Sequence, residues 1–508
     1  MKEPVVIIGG GYGGLAAANI FAKAGHAVTV IEKNSQLGGR AGQLHKNGFR
    51  FDTGPSWYLM PEAFEDYYKL FGLDVNKELT LTRLTPGYKV FFESHAPITI
   101  QGNLAKDAKT FESIEKGAGE KLNSYVKTSS TIYDVSFQHI LYSNFTRPYQ
   151  LLDKDILKSL PDFISMAGSS LDAYVSKHFE DPRIKRMLEY HSVFLGGSPY
   201  QIPAIYSLMS TLDFNSGVFF PKNGIYSLVE NLVKLGKELG VTYLTDTPVA
   251  RIIVDGGVAR GVELTDGRTI DAGIVISNAD LHHTETQLLE KQYSSYPESY
   301  WKKRQPGPSA LLISLGIKGN LNNLEHHNLY FVDDWKENFA SIYGTKTIPK
   351  NASIYICNPS KTDPTAAPND SENIFILVPL PADTQLSSGI KKQLISMAIH
   401  KLADITGATD LETRIVTQDI VTPETFGERF NAWAYNALGG QSHLLSQSAF
   451  FRTPNKSKRV KNLYYVGAGT APGIGLPMCL ISAQLVYKRI KGIHKAGPLQ
   501  AIDEGEVS

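Results

Sequence analysis

Residues 5–18 read VVIIGGGYGGLAAA, and this stretch decides the fold. The apolar run at residues 4–8 is typical of a buried parallel strand. Gly9, Gly11 and Gly14 then match G-x-G-x-x-G, a spacing that allows a tight turn, close approach of the backbone to a pyrophosphate, and helix–strand packing. Small residues at 15–24 predict a helix whose first amides face the phosphates. The order of these parts predicts a dinucleotide site.

The residues that follow narrow the choice of dinucleotide. A second strand at residues 28–31 ends at Glu32, where a carboxylate can accept hydrogen bonds from both ribose hydroxyls and disfavours the 2′-phosphate of NADP. NAD and FAD both remain open at that point. Residues 37–43 read LGGRAGQ, and Arg40 can meet a pyrophosphate with its planar fork while Gly39 leaves room for it. Simple NAD domains have no need of this extension, so the sequence favours FAD.

The composition is that of a large globular chain. Of its 508 residues, 42% are hydrophobic and 20% charged, enough for a sizeable core divided between two or three domains. The formal net charge of +1 gives no reason to expect nucleic acid as a partner. Cys357 and Cys479 are far apart and lack metal-ligand spacing, which fits a reducing compartment and excludes a disulfide scaffold. With no secretory leader and no bilayer-spanning apolar run, we expect a cytoplasmic protein.

A family resemblance rests on motifs at both ends of the chain: GGGYGG (9–14), GGRAGQ (38–43), FDTGPSWYLMP (51–61) and YYVGAGTAPGIGLPMCLISA (464–483). Blocks in the middle carry it further: VFLGGSPYQIPAIYSL (193–208), FFPKNGIYSLVENL (219–232), VISNAD (275–280) and HHNLYFVDDW (326–335). Together they make the sequence similar to the bacterial and archaeal-type phytoene desaturases. Those are FAD-dependent carotenoid desaturases within the amine-oxidase-like flavoprotein superfamily.

The expected fold class is α/β, with a Rossmann-like FAD-binding domain assembled from the discontinuous segments 1–73, 220–289 and 456–495. Patterning predicts a helix at 224–239, a helix from Leu476, and strands at 241–244, 249–254, 272–277 and 463–466. Residues 74–219, mostly helical, and 290–455, with strand-like runs, form an α+β substrate region that includes a helical membrane-associating part. Residues 496–508 are expected to be a disordered tail.

The resemblance implies which residues bind the cofactor. In the superfamily, the helix start after VGAG points at the pyrimidine edge of the flavin, which places residues 474–478 against the ring. Many relatives carry an acid after the first glycine of this block, but Ala468 and Gly469 stand here, so the ribityl contact is unassigned. The predicted cofactor residues are Gly9, Gly11, Gly13, Gly14, Glu32, Gly39, Arg40, Pro55, Ser56, Trp57, Val249, Gly467, Gly469, Ile474, Gly475, Leu476, Pro477 and Met478.

The implied reaction removes hydrogen from a C–C bond beside a polyene. Hydride passes from an allylic C–H to flavin N5 and the adjacent carbon loses a proton, for which even a weak base suffices, so we assign no acid or base. A hydrocarbon substrate needs an apolar tunnel, for which ordinary core packing is the competing interpretation of each candidate. The candidates are Trp57, Tyr58, Phe194, Tyr206 and Met209. We assign no catalytic role to His191 or to the pair His326-His327, and we predict no metal.

Because such a substrate resides in bilayers, we expect peripheral attachment to a membrane surface. The candidate is residues 131–160, where aromatic and aliphatic residues alternate with Arg147, Lys154 and Lys158, although a normally packed helix explains the pattern equally well.

Two alternatives to a carotenoid desaturase stay open. One is a same-fold flavin oxidase or isomerase acting on an amine, a porphyrinogen, a retinoid or a hydroxycarotenoid; the other is a non-enzymatic prenyl-lipid escort. The carotenoid and the electron acceptor, quinone or oxygen, are also open.

Overall fold

The computed structural model describes residues 2–146 and 154–503. Its strands are β1 Val5–Ile8, β2 Val28–Ile31, β3 Gln43–Lys46, β4 Phe49–Asp52, β5 Leu81–Arg83, β6 Tyr88–Phe92, β7 Ile98–Ile100, β8 Phe219–Pro221, β9 Thr242–Leu244, β10 Val249–Asp255, β11 Val258–Leu264, β12 Thr269–Asp271, β13 Ile274–Ser277, β14 Ser309–Lys318, β15 His327–Phe331, β16 Ile354–Cys357, β17 Ser371–Leu380, β18 Ile415–Val421 and β19 Leu463–Tyr465.

The helices lie between and after these strands, several of them in succession. They are α1 Tyr12–Lys23, α2 Pro61–Lys69, α3 Val75–Glu78, α4 Leu104–Ile114, α5 Ala118–Val135, α6 Lys154–Ala167, α7 Leu171–Val175, α8 Pro182–Glu189, α9 Met209–Thr211, α10 Tyr226–Glu238, α11 Leu281–Thr286, α12 Glu298–Trp301, α13 Trp335–Phe339, α14 Ser388–Thr406, α15 Leu411–Arg414, α16 Pro423–Phe430 and α17 Leu476–Lys491. Within the described ranges, no helix combines the length and apolarity needed to cross a bilayer.

A five-stranded parallel sheet in the order β19-β13-β1-β2-β9 carries the glycine turn. Its strands come from three separate parts of the chain, all of them within the segments predicted for the cofactor domain. Val5 and Ile7 face a core shared with α1, α10 and α17, whereas Val6 and Ile8 face a second core shared with β10 and β11. Because β1 is buried on both faces, its sequence is a continuous apolar run rather than an alternating one.

A seven-stranded mixed sheet in the order β18-β14-β17-β16-β15-β6-β7 forms the other half of the molecule. The strand-like runs noted in the later substrate stretch are β14 and β17, which pair antiparallel along their full lengths. The sequence also predicts a mostly helical stretch at 74–219, and there the structure differs in part. β6 and β7 belong to this sheet because β6 pairs in parallel with β15, more than 230 residues away in the chain.

Element boundaries agree with the patterning within a few residues. The helix after the glycine turn begins at Tyr12 rather than at residue 15, because Gly11 already has extended backbone and serves as its N-cap. The helix predicted at 224–239 is α10, and a turn at Asp266-Gly267 joins β11 to β12. The strand and helix at the C-terminal motif are β19 and α17.

The sequence predicts a disordered C-terminal tail, but residues 496–503 pack against the rest of the protein. Leu499 and Ile502 are buried in the core that surrounds α17. The Leu499 amide donates to Gln484 Oε1 at 3.0 Å, and the Asp503 amide donates to the Tyr487 hydroxyl at 3.2 Å. Two apolar side chains with partners on α17 therefore hold this part of the tail, although its composition resembles a disordered segment.

Candidate active site

A cavity of about 1550 Å³ runs from the glycine turn to the side of α6. Gly9, Glu32 and Arg40 line one end, and Ile164 and Phe450 line the other. Ordinary ligand pockets occupy roughly 300–1,000 Å³. The cavity is therefore large enough for a second molecule beside a dinucleotide.

The glycine turn is packed so tightly that larger residues do not fit. A Cβ on Gly14 would lie 2.3 Å from the Gly9 carbonyl oxygen, and one on Gly13 would lie 2.9 Å from Gly467 Cα. Gly9, Gly11 and Gly13 line the cavity, whereas Gly14 lies behind them and brings α1 against the turn. The backbone is thus open to a ligand on its cavity side, as a phosphate cradle requires.

Glu32 is buried at the end of β2 and borders the cavity. Its Oε2 accepts a hydrogen bond from the Gly10 amide at 2.8 Å, and its Oε1 accepts from the amide of Asn34 at 2.8 Å. The side-chain Nδ2 of Asn34 also donates to Oε1 at 2.7 Å, so of the roughly four acceptor sites of a carboxylate one remains, on Oε2, for a ribose hydroxyl. The Gly10 and Asn34 contacts fix the orientation of the carboxylate.

Arg40 provides positive charge in the cavity wall. Nη2 donates to the Asn436 carbonyl at 3.1 Å, while Nε is buried without a hydrogen-bond partner. Burial lowers the pKa of the guanidinium, and the nearby Asp280 carboxylate opposes that effect. Since an unpaired buried donor is costly, Arg40 is suited to an anion in the cavity. Gly39 and Asp280 line the same region.

The start of α17 forms another wall of the cavity. Gly475 is its N-cap, and no side chain caps the free amides of the first turn. Ile474, Gly475, Leu476, Pro477 and Met478 all line the cavity. A helix N-terminus carries partial positive charge, so this wall favours negative charge on a neighbouring group. Of the remaining cofactor candidates, Gly469 and Val249 also line the cavity, while Gly467 packs behind it against Gly13.

Pro55, Ser56 and Trp57 lie where the nucleotide end meets the wider cavity. Trp57 stacks on His327 with ring centroids 4.1 Å apart and planes 7° apart. Ser56 Oγ lies 2.8 Å from the Tyr355 hydroxyl, which lies 2.6 Å from His327 Nδ1. Contacts with the seven-stranded sheet thus hold this segment in place.

The wide part of the cavity is lined mainly by apolar side chains. Phe194, Tyr206 and Met209, predicted from the sequence, lie there beside Trp57. Tyr58 does not: its ring stacks on Phe64 at 4.3 Å in the core around α1 and α2. The packing of Tyr58 against Phe64 directs its ring into that core, while the Trp57 indole remains at the cavity wall. Other lining residues include Leu59, Met60, Phe163, Leu208, Leu212, Leu312, Phe375 and Leu377.

The histidines set aside in the sequence are buried outside the cavity lining. His191 Nε2 lies 3.0 Å from Asp213 Oδ2, and His326 Nδ1 lies 2.7 Å from Thr362 Oγ1. The fold also brings Cys357 to the histidine pair, with its ligand atom within 4.8 Å of theirs. The sequence shows no third ligand because the pairing of β15 with β16, not chain spacing, places Cys357 opposite His327.

Among the polar lining residues that the sequence analysis did not assign to the site are Asn278, Asp280, His443 and Arg452. Asn278 and Asp280 follow β13, at the carboxyl edge of the parallel sheet where ligands of such folds bind. Their position directly after a predicted strand could therefore have identified both residues from the sequence. His443 and Arg452 lie in the irregular segment between α16 and β19, where no motif marks them.

The chain is similar to known proteins over most of its length. The family model for flavin containing amine oxidoreductases matches residues 12–490. A carotenoid 3,4-desaturase from Haloarcula japonica is 40% identical over 95% of this chain and 97% of its own, and a zeta-carotene-forming phytoene desaturase from Myxococcus xanthus is 33% identical over 96% and 93%. Among solved structures, an oxidoreductase from Methanosarcina mazei aligns with a TM-score of 0.62 at 18% identity, covering 96% of this chain and 100% of that one. The chain belongs to the flavin-containing amine oxidoreductase family.

Proposed function

We propose that this protein is an FAD-dependent carotenoid desaturase. The observation that carries the proposal is the continuity of the cavity from the glycine turn and Arg40 to a long apolar part that reaches α6. The names of the two curated relatives support the same substrate class. A nucleotide at one end would place its reactive ring beside a lipophilic passage.

The cofactor would occupy the end of the cavity that the glycines, Glu32 and Arg40 line. The unpaired Nε of Arg40 and the glycine backbone fit the pyrophosphate, and Glu32 fits the adenosine ribose. The start of α17 fits the ring, with Ile474 to Met478 as its contacts. When bound, FAD supplies a hydride acceptor at flavin N5.

The chain's own task is to position the substrate and exclude water. An apolar lining holds a hydrocarbon next to the α17 wall without specific hydrogen bonds. The uncapped amides of α17 stabilise negative charge that develops beside them. Once the substrate has given up a hydride, the C–H bond on the neighbouring carbon would break, its electrons would form the new C=C bond, and its proton would pass to a weak base or water.

The lining argues against an amine substrate. Among the described residues that line the cavity, only Glu32 and Asp280 are acidic. Glu32 is held by the Gly10 and Asn34 amides at the nucleotide end, and Asp280 faces Arg40 and accepts from the Trp433 amide at 3.2 Å. No carboxylate of the described lining is thus left in the apolar part to pair with an ammonium group.

A second candidate is the 3,4-desaturation of a carotenoid that is already conjugated. The 40% identity with a protein of that name, against 33% with the Myxococcus phytoene desaturase, favours it. Both reactions need the same cavity chemistry, because either substrate is a long polyene. Chromatography of products from phytoene and from a conjugated acyclic carotenoid, each supplied separately, distinguishes the two.

The proposal includes peripheral attachment to a membrane at the cavity mouth. Six exposed apolar residues line that end of the cavity: Leu157, Leu160, Ile164, Leu445, Phe450 and Phe451. Three of them lie on α6: Leu157 and Leu160 belong to the predicted docking stretch 131–160, whereas Ile164 lies beyond it. Arg147 lies outside the described residues. Quinone and oxygen are the two candidate electron acceptors, and stopped-flow reoxidation by each identifies the one used.

Anaerobic bleaching tests the function. The flavin-loaded protein, mixed with phytoene or a conjugated carotenoid in phosphatidylcholine vesicles, should lose its absorbance near 450 nm and form a product with an added double bond. Putrescine and protoporphyrinogen are the comparison substrates. Bleaching by either of these, with none by a carotenoid, would reject the assignment.

A further inference from the structure

His443 is a buried histidine at the border between the two parts of the cavity. Its ring lines the cavity, and a Cβ on Gly473 would lie 2.9 Å from its Nε2. Gly473 immediately precedes Ile474, the first residue of the proposed ring contacts. Tyr206, from the substrate side, packs edge-on against the imidazole at 5.4 Å. His443 therefore lies between the proposed flavin contacts at Ile474 and the apolar part of the cavity at Tyr206.

The hydrogen bonds of His443 determine which ring nitrogen is free to accept a proton. Nδ1 lies 2.6 Å from the Leu195 carbonyl oxygen, which can only accept, so Nδ1 carries the hydrogen in the neutral ring. Nε2 is then an acceptor with its lone pair available. In the described residues, no protein donor is hydrogen-bonded to Nε2.

The surroundings of His443 keep it neutral. Burial lowers the pKa of the imidazole to about 3, and the Arg452 guanidinium contributes to that shift. Arg452 is held in place by the Thr470 and Ala468 carbonyls at 3.2 and 3.0 Å. A weak base suffices here, because a C–H beside a delocalised cation is strongly acidic.

The other imidazole among the described lining residues is in a different place. His283 lies in the first turn of α11, where its backbone amide donates to the N-cap residue Asp280. Lys33 and His282 lie near it. Lys33 follows Glu32 directly and lines the nucleotide end of the cavity. His443 is thus the imidazole on the substrate side.

We propose that His443 Nε2 accepts the proton that the substrate loses during desaturation. One substrate hydrogen leaves with its electron pair to the flavin, and the neighbouring C–H bond breaks so that its electrons form the new C=C bond. The proton of that bond goes to Nε2, giving an imidazolium, which returns the proton to water after product leaves. This inference rests on the proposed function.

Replacement of His443 by asparagine removes Nε2 but retains a donor for the Leu195 carbonyl, because Asn Nδ2 can take the place of Nδ1. We expect H443N to retain wild-type flavin content and melting temperature. The rate at which a carotenoid bleaches its flavin in the absence of oxygen should fall about 100-fold or more, which is a usual range for loss of a general base. The adjacent S442A is the control, since Ser442 is buried and does not line the cavity.

A kinetic isotope effect separates a base from a structural residue. With substrate deuterated at the carbon that loses the proton, the isotope effect should be larger in H443N than in wild type, because proton removal becomes rate-limiting. An unchanged isotope effect, bleaching within about threefold of wild type, or loss of flavin would each overturn the role. H443Q provides the same readouts if H443N does not fold. Failure of the wild-type protein to bleach with any carotenoid would instead contradict the proposed function.

Discussion

At the scale of single residues, the candidate active site contains buried and half-buried charged groups, and some of their partners come from distant parts of the chain. Arg40 follows β2, yet its neighbours Asn436 and Asp280 come from other segments. Glu32 is held by the glycine turn itself. Local motifs therefore locate such residues, while their environment comes from tertiary contacts.

Removing the Arg40 side chain should release the cofactor. In Arg40→Ala, the pyrophosphate loses its forked donor and Asp280 loses its nearby positive charge. We expect the ratio of absorbance at 450 to that at 280 nm after gel filtration to fall severalfold, with a lower melting temperature. Arg40→Lys, which keeps the charge but not the fork, should retain an intermediate amount. Full flavin content in Arg40→Ala would contradict this role.

Glu189 should make stability depend on pH. Its Oε2 accepts from Trp335 Nε1 at 2.7 Å, and burial, with Asp172 nearby, raises its pKa from 4.5 to about 8. Because the folded-state pKa is the higher one, this stabilisation is complete below about pH 4.5 and is lost as the pH rises through 8. Glu189→Gln keeps an acceptor for Trp335 without the ionisation.

Melting temperatures at pH 5 and pH 8 test this expectation. Glu189→Gln should gain stability relative to wild type as the pH rises from 5 to 8, whereas the exposed-residue control Glu238→Gln should follow wild type. A difference between Glu189→Gln and wild type that stays the same at both pH values would show that Glu189 does not titrate in this range.

At the scale of elements, the packing of α1 against the glycine turn determines whether a nucleotide can approach. α1 contacts both α17 and α10, so the turn cannot shift without moving the core. Patterning predicted α1, α10, α17 and the parallel strands closely because each carries its own periodic or continuous apolar signal. β6 and β7 carried no comparable signal, since their place depends on pairing with the distant β15.

Gly14→Ala should disrupt this packing. Its Cβ would lie 2.3 Å from the Gly9 carbonyl oxygen, so the backbone of the turn must move. We expect loss of most bound flavin and a melting temperature lower by several degrees. Gly389→Ala is the matched control, because Gly389 also lies in the first turn of a helix but has open space around it. The prediction fails if the two variants bind flavin equally.

At the scale of the whole molecule, the two sheets enclose a passage that opens beside α6. The exposed apolar residues around this opening form the surface at which we propose that a bilayer binds. Binding there would give a membrane-dissolved substrate a path to the cavity without crossing water.

Charges at the opening should weaken vesicle binding. The double variant Ile164→Glu/Phe451→Glu places carboxylates at two residues that are 65% and 60% exposed. We expect flotation with phosphatidylcholine vesicles to fall by more than half, without loss of flavin. Val416→Glu is the control, since Val416 is 51% exposed but does not line the cavity. Equal flotation of all three proteins would rule out docking at this surface.

The sequence by itself determined the nucleotide fold, the glycine turn, Glu32, Arg40 and the family, because spacing along one strand–turn–helix unit is a local property. Only the tertiary structure decided that Trp57 faces the cavity while Tyr58 packs in the core, and that His443 meets the cavity from an irregular segment. Which side a residue faces, and what lies opposite it, depends on contacts between parts of the chain hundreds of residues apart.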